Sequence, residues 1–90
     1  MLDEIVARLK SLKKLMEKEL PYLQHEVNDI LKSKSQAVDR IEKALDVLLN
    51  YSQMGLGEKE FKRLNLYYAS FNPENAKFYA DHYKEMNEDQ

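Results

Sequence analysis

LDEIVARLKSLKKLMEKELPYLQHEVNDILKSKSQAVDRIEKALDVLL, residues 2–49, decides the fold. At about 100° per residue, Leu2, Ile5, Val6, Leu9, Leu12, Met16, Leu20, Leu23, Val27, Ile30, Leu31, Val38, Ile41, Leu45, Leu48 and Leu49 fall within about 120° of arc. That single stripe makes the chain all-α. It reads as a packing device, the apolar side of helices laid against one another.

The stripe must be cut into pieces that can fold back. Pro21 lacks an amide donor and clashes with the carbonyl four residues back. The stripe keeps its phase from Met16 and Leu20 to Leu23 and Val27, however, and Pro21 projects away from it. The pattern predicts a kink convex toward solvent rather than a turn. At Lys32–Gln36 the polar run Lys-Ser-Lys-Ser-Gln places Lys34 on the stripe, and Ser33 with Gln36 has capping-box spacing. A turn is expected there, since an unbroken helix from Leu2 to Ser52 would run about 75 Å. The stripe as a whole fits a 3.6 period better than 3.5, which argues against a long coiled-coil rod. Both glycines, Gly55 and Gly57, fall in the next break, Ser52–Gly57, and glycine ends helices by entering the left-handed region.

Phe61, Leu64, Tyr68 and Phe71 then begin a new stripe, with Tyr67 at its margin. Asn72 and Pro73 supply an N-cap and a first-turn proline, followed by Glu74. Ala76, Tyr79, Ala80, Tyr83 and Met86 form the buried side of a last helix, and residues 87–90 read as a frayed tail. The expected architecture is one domain, residues 1–90. It is a small antiparallel helical bundle with a long kinked N-terminal helix (2–32), a second helix (34–53) and a C-terminal helical hairpin (58–71 and 73–87).

Composition narrows the function classes. A chain of 90 residues buries only around 60 to 65% of its unfolded surface, so its stability rests on regular helix packing or on association of two copies. There is no cysteine, which excludes disulfides and thiolate metal sites and favours a cytoplasmic location. Asp3 and Glu4 stand where a secretory leader would be basic, and no apolar run approaches membrane-spanning length, so no membrane partner is expected. The 14 basic and 16 acidic side chains nearly cancel, whereas a nucleic-acid binder carries a basic excess. Lys10, Lys13, Lys14 and Lys18 do cluster on one side of the first helix and read as a solvated face. Glu4 with Arg8, Asp39 with Lys43 and Glu58 with Lys62 have the spacing of helix-surface ion pairs.

Catalytic parts are scarce. His25 and His82 are the only histidines, and no catalytic, cofactor-binding or metal-binding residue is assigned. His25 with Asp29, and His82 with Asp81 and Glu85, are the nearest approaches to an imidazole–carboxylate pair. The Glu-x-x-His of di-iron bundles is absent, because Tyr22 and Tyr79 stand three residues before the histidines. Gly55-Leu56-Gly57 is too short and lacks the lysine of a phosphate loop.

In length and long first helix the chain resembles the helical chorismate mutases, which implies a dimer binding a dicarboxylate through arginines. Only Arg8, Arg40 and Arg63 are available, without the family's surrounding pattern. Leu9 through Tyr51 resembles the flagellar and type III export chaperones, which implies client capture by a helix. In size and helix content the chain also resembles small bacteriocin immunity proteins. These likenesses are architectural, and architecture does not carry function.

Seven of the nine aromatic residues lie between Phe61 and Tyr83, where rings can close a small core. Leu66 and Phe78 fall outside their helices' apolar arcs, with His82 one turn beyond Phe78. Leu66, Phe78 and His82 are therefore the candidate partner-binding residues. Leu15 and Val47 are also off the stripe. The expected function is a noncatalytic protein–protein interaction module, a small adaptor, chaperone or regulator that binds a protein partner or self-associates as a homodimer. The alternative is a small helical enzyme with a site between helices or at a dimer interface, built from Arg40, Arg63, His82 and nearby tyrosines.

Overall fold

Amphipathic segments separated by a polar turn, a glycine pair and an Asn-Pro start can only settle as helices packed through their apolar sides. The computed structural model, which describes residues 1–87, has four: α1 (Leu2–Ser33), α2 (Val38–Ser52), α3 (Glu58–Ala69) and α4 (Pro73–Asn87). There are no strands among the described residues, and the molecule is a small all-α bundle. Helices α2 and α3 form its middle, with α1 and α4 each packed on both and not on each other.

The core joins Val27 and Ile30 of α1 to Ile41, Ala44, Leu45, Leu48 and Leu49 of α2, Phe61, Leu64 and Tyr68 of α3, and Ala76 and Tyr79 of α4. Aromatic rings close the C-terminal side as the composition predicts: Phe61 stacks on Tyr83 at 4.7 Å, and Phe71 meets Tyr67 and Tyr68 edge-on. On α4, Ala76 and Tyr79 are buried and Tyr83 and Met86 half-buried, but Ala80 is exposed. Asn87 is still helical, its side-chain amide donating to the Tyr83 carbonyl at 2.8 Å. The rest of the expected tail, 88–90, lies outside the described residues.

Helix α1 runs unbroken through Pro21, whose ring is exposed. The missing amide leaves the Glu17 carbonyl without its helical donor on the side open to water, where solvent can satisfy it.

The first turn is built differently from the capping-box expectation. Lys34 adopts a left-handed conformation, φ 53°, and the amides of Lys34 and Ser35 return to Leu31 and Ile30. This double return is a Schellman stop, normally made by glycine. Ser33 belongs to the end of α1, its hydroxyl donating to the Asp29 carbonyl at 2.7 Å. Helix α2 consequently starts at Val38, four residues later than expected, behind Ala37, which has no side-chain capping bond.

The second turn conforms to its glycines. Gly55, φ 74°, closes α2 with the amides of Gly55 and Leu56 returning to Ser52 and Tyr51. Gly57, φ 75°, precedes α3, and a Cβ there would stand 2.9 Å from Leu48 Cδ2 and 3.8 Å from Leu20 Cδ1. The turn therefore faces α1 at Leu20, and α3 ends at Ala69. Asn72 starts α4 by accepting the Ala76 amide on its carbonyl.

Candidate functional site

Helix lengths create the most conspicuous surface. Helix α1 has 32 residues and α2 only 15, about 48 Å against about 22 Å at 1.5 Å per residue. The longest dimension of the molecule is 47 Å, so α1 spans it from end to end. Partners cover α1 only from about Leu20 onward. Before that point the stripe continues into solvent as a free arm.

On this arm Leu2, Ile5, Val6, Leu9 and Leu12 are exposed, Leu9 to 51% and Leu2 to 73%, while Val27 and Ile30 of the same stripe are wholly buried. Leu15, off the stripe, is exposed as well. The stripe of residues 2–49 is therefore a core element in its second half and an uncovered apolar face in its first. Periodicity cannot distinguish these. The difference in length between the first helix and its neighbours was the signal that could have shown it.

Arg8, Lys10, Lys13, Lys14 and Lys18 are all exposed along the arm. Of the three surface pairs expected from spacing, Glu58–Lys62 forms at 2.8 Å, and each partner holds the other in its charged form, lowering the Glu58 pKa and raising that of Lys62. Glu4–Arg8 and Asp39–Lys43 do not come within ion-pair distance, and Lys77–Asp81 does, at 3.2 Å.

The remaining charge chemistry is structural. Arg40 grips Glu26 through two bonds of 2.9 and 2.7 Å and Asp29 through one of 2.8 Å, clamping α2 to α1. These hydrogen bonds hold both carboxyls below their ordinary pKa. Asp29 thus serves Arg40 and not His25. On the other side of the bundle, the Tyr68 hydroxyl donates to Glu42 at 2.5 Å and accepts from Asn72 and Asn75. The Tyr79 hydroxyl donates to Asp46 at 2.9 Å. Burial first, and the carboxylate acceptor second, push both phenols above their ordinary pKa. Two polar residues that patterning missed are buried in α3. Asn65 donates to the Ala76 carbonyl and Glu60 accepts from Gln24, leaving Asn65 Oδ1 and Glu60 Oε2 without partners.

Leu66, Phe78 and His82 are all exposed, Leu66 to 76% and Phe78 to 67%. Phe78 and His82 lie together, ring centres 6.3 Å apart. Leu66 lines a shallow groove of about 300 Å³ between α3 and α4 that includes Ala80 and not Phe78. At about 100° per residue Phe78 points nearly opposite Ala80, so the three residues do not make one patch. The groups considered for an enzyme are also dispersed. Arg40 is committed to Glu26 and Asp29, Arg63 donates to Asn28 at 3.1 Å, and His82 sits beside Phe78. A second groove, about 200 Å³ between α1 and α2, is lined by Leu23, Arg40 and Val47 among others. Among the described residues no cluster of His, Asp and Glu could hold a metal ion, and no helix is long and apolar enough to cross a membrane.

No protein-family model, curated protein or solved structure matches this chain.

Proposed function

We propose that the chain is a noncatalytic helical interaction module whose docking surface is the free arm of α1. One observation carries the reading: Leu2, Ile5, Val6, Leu9 and Leu12 stand in line on one side of a helix and all are exposed, from 41% to 73%. Scattered exposed leucines are ordinary on a protein surface. A continuous aliphatic ridge is not, because leaving it in water forfeits the stabilisation that drives helices together. An amphipathic helix presented this way offers the i, i+3, i+4, i+7 anchors through which helices recognise grooves and other helices. Leu66 and Phe78 are isolated by comparison and are secondary to the arm.

The test replaces Leu9 and Leu12 together by aspartate. Both side chains are already half exposed, so the variant keeps the melting temperature that the wild type shows when dilute enough to be unassociated. Every association of the chain, with itself or with another protein, is lost. Associations that survive the double replacement would refute the arm as docking surface. A small molecule that binds saturably and raises the melting temperature of both forms equally would support the enzyme alternative instead.

A further inference from the structure

The arm also carries information about its occupant. Leu2, Ile5, Leu9, Leu12 and Met16 follow at intervals of three, four, three and four residues, the repeat with which two helices wind around each other. After Met16 the order shifts, with Leu20, Leu23, Val27 and Ile30 spaced four, three, four and three. That shift falls where α1 enters its own bundle. Both stretches have coiled-coil spacing, their phases separated by one stutter at Met16–Leu20, and the bundle covers the second while the first is left without a partner helix.

Charge selects the partner and its direction. With Leu2, Leu9 and Met16 at one core position and Ile5 and Leu12 at the other, the flanks hold Val6 and Lys13 on one side and Arg8 and Leu15 on the other. Two parallel copies would set Arg8 against the partner's Lys13 twice. In an antiparallel pair with Leu9 level with the partner's Leu12, like flanks face each other instead. Arg8 then lies over the partner's Leu15 and Lys13 over the partner's Val6. Each cation covers an aliphatic side chain with its alkyl stem and keeps its head in water. This arrangement also employs Leu15, exposed to 55%, for which the bundle has no use.

Length and area agree. In that register residue 2 is level with residue 19 of the other copy, so each arm ends where the partner's bundle begins and the two-fold pair closes. The six aliphatic side chains together expose on the order of 500 Å² per arm, toward the upper end of the largest patches that monomers carry, which are often functional. Facing arms would bury on the order of 1,000 Å² or more, where specific interfaces begin.

We infer that two copies of this chain pair through their α1 arms as an antiparallel two-stranded coiled coil, with the bundles at opposite ends. The inference rests on the arm being the docking surface, and its test separates the two. Sedimentation equilibrium up to hundreds of micromolar gives a dimer for the wild type. Leu9→Asp weakens it at least about a hundredfold by burying a carboxylate at the centre. Because the chain has no cysteine, single spin labels report direction: labels at Ser11→Cys lie close across the pair. Labels at Glu4→Cys are offset along the axis by about 20 Å, at 1.5 Å per residue.

A close Glu4 pair, or a dimer indifferent to Leu9→Asp, overturns the inference. So does a wild type that stays monomeric. If that monomer binds another protein through Leu9, the docking reading stands and self-pairing falls. If its arm partitions onto anionic vesicles, a lipid surface replaces both protein readings. If nothing depends on the arm, both fall.

Discussion

Leu45 and Leu9 lie on one stripe, and truncating each to alanine should have opposite consequences. Leu45 is fully buried among the core residues of all four helices. Its truncation removes a packed isobutyl group and leaves a cavity, a loss of about 3 to 5 kcal/mol. Against a total of roughly 5 to 13 kcal/mol for a chain of this size, that consumes a large share and lowers the melting temperature by about 12 °C or more. Leu9 is half exposed and lies outside the core. Its truncation changes monomer stability by less than about 0.5 kcal/mol, and the better helix propensity of alanine offsets part of that. Urea unfolding at several protein concentrations measures both, with an unchanged slope confirming that the transition stays comparable. Any loss at Leu9 should depend on concentration, since it comes from association. A concentration-independent loss at Leu9 similar to that at Leu45 would mean the arm packs within its own chain, and the reasoning about the docking surface would be wrong.

The turns and the polar contacts give further checks. Gly55→Ala should cost about 1 kcal/mol for the left-handed backbone alone. Gly57→Ala should cost at least about 1 kcal/mol more, because its Cβ meets Leu48 Cδ2 at 2.9 Å; equal losses in chemical unfolding would show that Leu48 yields freely. Lys34→Gly should stabilise the chain by up to about 1 kcal/mol, since Lys34 already holds the left-handed position of the Schellman stop and glycine fits it without strain; a destabilised variant would contradict that geometry. Tyr79→Phe should cost about 1 kcal/mol near neutral pH by removing the bond to Asp46. The pKa of Tyr79 is raised on folding, so its contribution is intact below pH 10 and is lost as the pH rises above 10. The variant's stability should therefore fall less steeply with alkali than that of the wild type, and parallel curves would refute the assignment.

Much of the bundle was legible in the residues. The glycine pair, the Asn-Pro start and the aromatic set of the last two helices lie where their chemistry indicates. The first turn departs from its spacing at Ser33, whose distance to Gln36 suits a cap but whose hydroxyl finds the nearer Asp29 carbonyl of its own helix. That competition is local, and spacing alone does not resolve it. Asn65 and Glu60 were invisible because patterning assigns polar side chains to the surface, while burial here depends on the Ala76 carbonyl and Gln24, supplied by other helices. The arm and the core share one pattern because a helical period reports that one side is apolar and not what covers it. Helix length, 32 residues beside 15, was the missing term.

Pro21 gives α1 two cooperative blocks. Proline is well suited to the first position of a helix, so residues from Pro21 to Ser33, held by the core, are competent to stand as a helix without what precedes them. The arm has no tertiary packing to stabilise its helix and extends from that preformed turn across the one peptide of α1 that supplies no hydrogen bond. Its amides should accordingly exchange faster than those of Val27 and Ile30 by a step at Pro21. Anything that covers Leu9 and Leu12 should raise both their protection and the helical signal, so that docking is read out as added helix.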